Sequence, residues 1–141
     1  MRHVFTVLLL VFVTSAMMAA DDGQTQPRLN YATNSSSVTN VDIVPATNGT
    51  GNVKGVHCLL FSNSSVTASA VVTFTVDGGA AQSVTIEAGY FPYQDLAGLP
   101  LGYSGWVPFN IRFASSIRVQ VKKQAAATGT SVACGVSWAL D

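Results

Sequence analysis

The sequence predicts an all-β protein, an antiparallel β-sandwich, and three observations carry that expectation. Within residues 106–122, Val107, Phe109, Ile111 and Phe113 alternate with Pro108, Asn110 and Arg112, and Ile117, Val119 and Val121 alternate with Arg118, Gln120 and Lys122. That is the period of two of strands with one apolar face. A second pair of alternating runs flanks Asp77-Gly78-Gly79, residues that accept the positive φ of a tight hairpin turn. After the first 20 residues no run of ordinary helical length appears, and no long repeat recurs. An apolar strand face needs an opposing layer, and the only layer these elements offer is another sheet.

The chain begins with a short basic stretch, Met1 to His3, followed by an apolar run over residues 4–13 that only Thr6 interrupts, then small residues before Asp21 and Asp22. This is the layout of a secretory signal peptide over residues 1–20, cut after Ala19 or Ala20, with retention as an apolar anchor as the alternative. Residues 21–37, rich in Gln, Asn and Ser, read as a polar linker, which leaves residues 38–141 for the sandwich domain.

Residues 38–44 read as the first strand, stopped by Pro45, and residues 46–54 as a loop. In residues 55–62, Val56, Cys58 and Leu60 share one face, while Leu59 and Phe61 load the other beside His57. A strand apolar on both sides is central and covered twice, or its outer face meets a partner. In the hairpin of residues 69–87, Ala70, Val72, Phe74 and Val76 point inward with Val84 and Ile86. Residues 88–105 make a long connection carrying Tyr90, Phe91, Tyr93 and Tyr103, and connections of that length are often functional. Residues 106–122 follow as a hairpin turning at residues 114–116, and residues 132–140 close the domain with Cys134 and Trp138. Seven or eight antiparallel strands in about 105 residues fit an immunoglobulin-like or a jelly-roll-like sandwich, and the residue pattern leaves both open.

Cys58 and Cys134 both occupy apolar phases of strands. Behind a signal peptide that placement suggests an inter-sheet disulfide, worth roughly 4 to 5 kcal/mol in the chain-entropy model; a pair of free buried thiols is the alternative. Lys and Arg number seven against seven Asp and Glu, and loss of residues 1–20 leaves six against seven. That balance argues against nucleic acid as a partner. Charged residues are only 10% of the chain, against about 25% in ordinary soluble domains. Such a surface is built from small polar residues or covered by neighbours, so a homo-oligomer or larger assembly is expected, with a carbohydrate or protein as a further possible ligand.

Catalytic constellations are thin. Past the signal segment His57 stands alone, and its neighbour Cys58 faces the opposite side of the strand. Asp95 is the one carboxylate without a structural reason, and glycoside hydrolysis usually takes two. A secreted carbohydrate-active hydrolase would depend on it. No catalytic residue, metal site or cofactor is therefore expected. Two binding surfaces are candidates. Tyr90, Phe91, Tyr93, Tyr103 and Trp106, with Asp95, have the composition to stack on sugar rings, to anchor an interface, or to fold over the end of the sandwich. Arg112 and Arg118, set opposite each other by the expected hairpin, would with Lys122 form a basic stripe for a carboxylate or phosphate. Asn34, Asn48 and Asn63 each open an N-glycosylation sequon.

The succession GVHCLLFSNSS, SVTIEAG, VPFNIRFASSIRVQV and a short final strand, spread over residues 53–140, resembles the small β-sandwich modules of tailed-phage virions that decorate heads or build tail and fibre parts. The resemblance implies a non-enzymatic, oligomeric virion component. A signal peptide and a core disulfide depart from that pattern. Two functional classes follow: an exported non-enzymatic sandwich, secreted or held in the periplasm or at the cell surface, acting in surface binding or structural assembly; and a bacteriophage virion accessory protein.

Overall fold

The computed structural model describes residues 27–62, 69–87, 89–94, 100–124 and 130–141. The expected signal peptide and Asp95 lie outside them. Nine strands occur among the described residues: β1 Arg28–Asn34, β2 Val41–Asn48, β3 Gly51–Ser62, β4 Ser69–Val76, β5 Gln82–Glu87, β6 Gly89–Gln94, β7 Pro100–Phe113, β8 Ser116–Lys123 and β9 Thr130–Leu140. They form two antiparallel sheets, one in the order β1-β9-β3-β7-β6 and the other β2-β8-β4-β5.

That order decides between the two sandwich types. β1 pairs with β9, β2 with β8, β3 with β7 and β4 with β5, so the chain is one long hairpin folded over on itself. Rolling that hairpin brings β3 against β9 and β4 against β8. This is a jelly roll, with β6 added at one sheet edge. The alternating apolar residues of both sheets meet between the layers, where Val44, Val56, Val72, Val119 and Val136 are fully buried around Phe74, Phe113 and Trp138.

Several sequence expectations need correction. Residues 106–122 are two strands but not a hairpin: β7 lies in the five-stranded sheet and β8 in the other. The chain crosses between layers at residues 114–115, and Phe113 and Ile117 enter the core from opposite sides. Alternation records only which side chains are buried, and two strands bury the same set whether they lie side by side or face each other across the core. The corner is held by Asp77 in the β4–β5 turn. Its carboxylate accepts hydrogen bonds from the backbone N–H groups of Ala114, Ser115 and Ser116 at 2.9, 2.7 and 3.0 Å, and from Ser115 Oγ at 3.1 Å. The hairpin expected around this turn is present, with φ of 53° at Asp77 and 68° at Gly78.

The linker expected over residues 21–37 is also shortened, because residues 28–34 form β1 and pair with β9 along their whole length. The loop expected at 46–54 reduces to a turn at Gly49 and Thr50 between β2 and β3. Pro45 lies within β2 instead of ending it; β2 is an edge strand, and its register slips between Val44 and Thr47, which accommodates a residue with no N–H to donate. The long connection of residues 88–105 is mostly strand, given to β6 and the start of β7. Cys58 and Cys134 do form a disulfide, but within one sheet, as direct cross-strand partners on β3 and β9.

Candidate functional site

The outer face of the five-stranded sheet is the candidate site. Cross-strand register sets Tyr31, Gly135, His57 and Trp106 in one row across β1, β9, β3 and β7. The adjacent rows are Thr33, Ala133, Leu59 and Tyr103 on one side, and Leu29, Ser137, Gly55 and Pro108 on the other. Large apolar side chains stand exposed here: Tyr31 at 62%, Leu29 at 52%, Trp106 at 49% and Leu59 at 41% of their accessible surface, with Phe61 and Tyr103 beside them. Contiguous apolar surface of this kind marks interaction sites in soluble proteins.

A bulge builds half of the row pattern. Tyr103 and Trp106 are three residues apart, so a regular strand would point them to opposite faces. Between their partners Leu59 and His57 lies one residue of β3 but two of β7, Ser104 and Gly105. Gly105 takes the extra residue at φ 67°, a conformation glycine adopts without steric cost. Ser104 Oγ accepts a hydrogen bond from the Cys58 N–H at 2.9 Å and donates to the Gly105 carbonyl at 2.8 Å. Both aromatic rings thus reach the outer face.

His57 is the hub of the face. Its ring centre lies 5.4 Å from that of Tyr31 in an edge-on arrangement, 6.1 Å from Trp106 and 6.5 Å from Tyr103. Gly135 and Gly55 form the floor: a Cβ at Gly135 would collide with the rings of His57 and Tyr31, and one at Gly55 with the indole of Trp106. A rim of polar groups closes one end, with Asn52 Nδ2 donating to Asn110 Oδ1 at 2.7 Å and Arg112 reaching Asp141 at 3.4 Å.

Of the aromatic residues singled out from sequence, Tyr103 and Trp106 belong to this face. Tyr90, Phe91 and Tyr93 fall within strand β6; their side chains, like Asp95, lie outside the described set. Arg112 and Arg118 do not form a stripe, because they sit on different sheets. Arg118 grips Asp42 in a two-pronged ion pair, Nε to Oδ1 at 2.8 Å and Nη2 to Oδ2 at 3.1 Å. The guanidinium hydrogen bonds hold the Asp42 carboxyl below its ordinary range and raise Arg118. The three backbone donors at the layer crossing push Asp77 down to about 2. Sequence reasoning missed Leu29 and Tyr31, which the linker reading had hidden.

The sequons part company in the fold. Asn34 is buried, donating through Nδ2 to the carbonyls of Thr39 and Val121 at 2.7 and 2.8 Å, so its amide is committed. Asn48 is exposed at the end of β2, and Asn63 lies outside the described residues. Among the described residues no group of three or more His, Cys, Asp or Glu gathers. An open cavity of about 520 Å³ lies between the layers, lined by Phe74, Val76, Val84, Phe109 and Ile111 among others.

No protein-family model matches the chain, and no curated protein does. Among solved structures, it is similar to a chain from the structure of the infectious bursal disease virus Gx strain, with 14% sequence identity and a TM-score of 0.38. The likeness covers 82% of this chain and 33% of that one.

Proposed function

We propose that this protein is a non-enzymatic β-sandwich module that acts outside the cytoplasm in surface binding or structural assembly, and that it works through the outer face of the five-stranded sheet. The observation that carries the reading is the exposed row of Tyr31, His57 and Trp106 with Leu59 and Tyr103 beside it. The Cys58–Cys134 bridge supports an oxidising compartment. The low charged fraction of the chain supports a surface that neighbours cover.

Size fractionation of extract from producing cells tests this directly. The wild-type protein is expected in complexes larger than a monomer, and Trp106→Lys, which adds a charge to an exposed position without touching the core, is expected to shift it to monomer size. Monomer-sized elution of the wild type would overturn the reading. Recovery of the wild-type complex with virus particles, instead of in medium, periplasm or envelope, would assign the assembly to a virion.

A further inference from the structure

Three kinds of side chain share the outer face of the five-stranded sheet. Leu29, Leu59 and Phe61 are wholly apolar and exposed. Tyr31, Tyr103 and Trp106, exposed as well, each join an apolar ring to a polar tip. The third kind is basic. Lys54 stands exposed on central strand β3 beside Gly55, and Arg112 at the rim is met by Asp141, the residue after β9. No carboxylate faces outward from the described residues of β1, β3, β7 or β9 themselves. The outer side of the other sheet is polar by contrast, with Thr73, Ser83 and Gln120 in one row and Arg118 tied to Asp42.

Relief on the apolar side is low. Gly135 is buried beneath the rings of His57 and Tyr31, and Gly55 beneath the indole of Trp106. The rings thus lie across neighbouring strands and fill the low places of the sheet. From β1 to β7 the face spans three inter-strand gaps, about 14 Å. A broad face without a deep recess meets a plane better than it encloses a small molecule.

Resting on the reading of this face as a binding surface, we infer that its occupant is a lipid bilayer with anionic headgroups, on which the five-stranded sheet lies flat. Leu29, Leu59 and Phe61 enter the boundary of the acyl chains, while the Tyr and Trp rings sit at headgroup level with their O–H and N–H groups towards water. Lys54 meets a headgroup phosphate, and its charge disfavours a second copy of the same face. The path of the chain agrees. Leu29 lies 16 positions after Val13, the end of the apolar run. Whether that run directs export or stays as an anchor, it brings the chain to a membrane, and the first strand after it, β1, belongs to this sheet.

Co-sedimentation of the purified, disulfide-intact protein with vesicles tests the proposal, using phosphatidylcholine alone and phosphatidylcholine mixed with phosphatidylglycerol. The wild type is expected to bind both, the mixed vesicles more tightly, and to lose that preference as salt is raised. Lys54→Gln is expected to abolish the preference. Leu59→Ser is expected to weaken binding to both vesicles at least about tenfold, and Val38→Ser, at an exposed apolar position in the β1–β2 connection, to leave it unchanged. Should Leu59→Ser lower the melting temperature, Phe61→Ser takes its place. A wild type that binds neither vesicle overturns the proposal. Binding that both Leu59→Ser and Phe61→Ser leave intact also overturns it, because the apolar segment or another surface then holds the lipid, and so does a preference that Lys54→Gln retains. If the purified protein ignores vesicles while the cell extract still holds it in larger complexes that Trp106→Lys dissolves, a partner other than lipid occupies the face. In that case the wider functional reading stands and the membrane contact does not.

Discussion

Asp77 shows how one side chain can fix a crossing between layers. It tips a two-residue turn with a positive φ, and from there its carboxylate gathers three successive backbone N–H groups of the β7–β8 corner. Those donors favour the charged form and bring the group down to about 2. Because the folded value lies below that of the unfolded chain, its contribution to stability is complete above about pH 4 and disappears as pH falls towards 2. The melting temperature is therefore expected to decline over that window, and Asp77→Asn is expected to start lower and to show a shallower decline. A thermal-melting series from pH 7 to about 2 checks both, and identical acid profiles for the two proteins would remove Asp77 as the clamp. The Asp42–Arg118 pair adds a smaller share with the same sign.

At the scale of elements, β1 and the β7–β8 crossing show what could be read from sequence and what could not. The alternation in β7, β8 and β4 identified strands and core faces correctly, because burial on one side imposes a period of two whatever the neighbours are; on edge strand β5 only Ile86 is buried, and Val84, expected inward, stays exposed. Partner choice left no such mark, so β7 and β8 were paired with each other when they belong to opposite sheets. β1 was lost for a different reason: its polarity is inverted. Leu29 and Tyr31 face outward, while the inward positions hold Asn30, Ala32 and Asn34. The two asparagines are tolerated because each is satisfied: Asn30 Oδ1 accepts from Trp138 Nε1 at 3.0 Å, and Asn34 is tied to Thr39 and Val121. A strand of this kind looks like a polar arm until its partners are known. It follows that a chain beginning at residue 38 lacks an edge strand and not a linker. Its melting temperature is expected to fall by more than about 10 °C relative to a chain beginning at residue 21, a loss of roughly 2 kcal/mol in a domain of this size. Equal midpoints would return residues 28–34 to the linker.

The same inversion shapes the whole molecule. The jelly roll buries one side of each sheet between the layers, as the sequence predicted, and the disulfide joins two central strands of the five-stranded sheet. On the outer side of that sheet, apolar residues from β1, β3 and β7 come together only through long-range register and a glycine bulge. His57, Leu59 and Phe61 were visible from the sequence as a second apolar face on a central strand. Their union with Tyr31 and Trp106 was not, because those residues lie 26 and 49 positions away along the chain. Fold alone assigns no role to such a face; the proposed role rests on its exposed apolar side chains. Its occupancy is measured most directly by hydroxyl-radical labelling of the protein in its native complex and again after dissociation, with buried Trp138 as the internal reference. Protection of Tyr31, Tyr103 and Trp106 in the complex, lost on dissociation, is the predicted result. Equal labelling of Trp106 in both states would contradict the assignment of this face as the association surface.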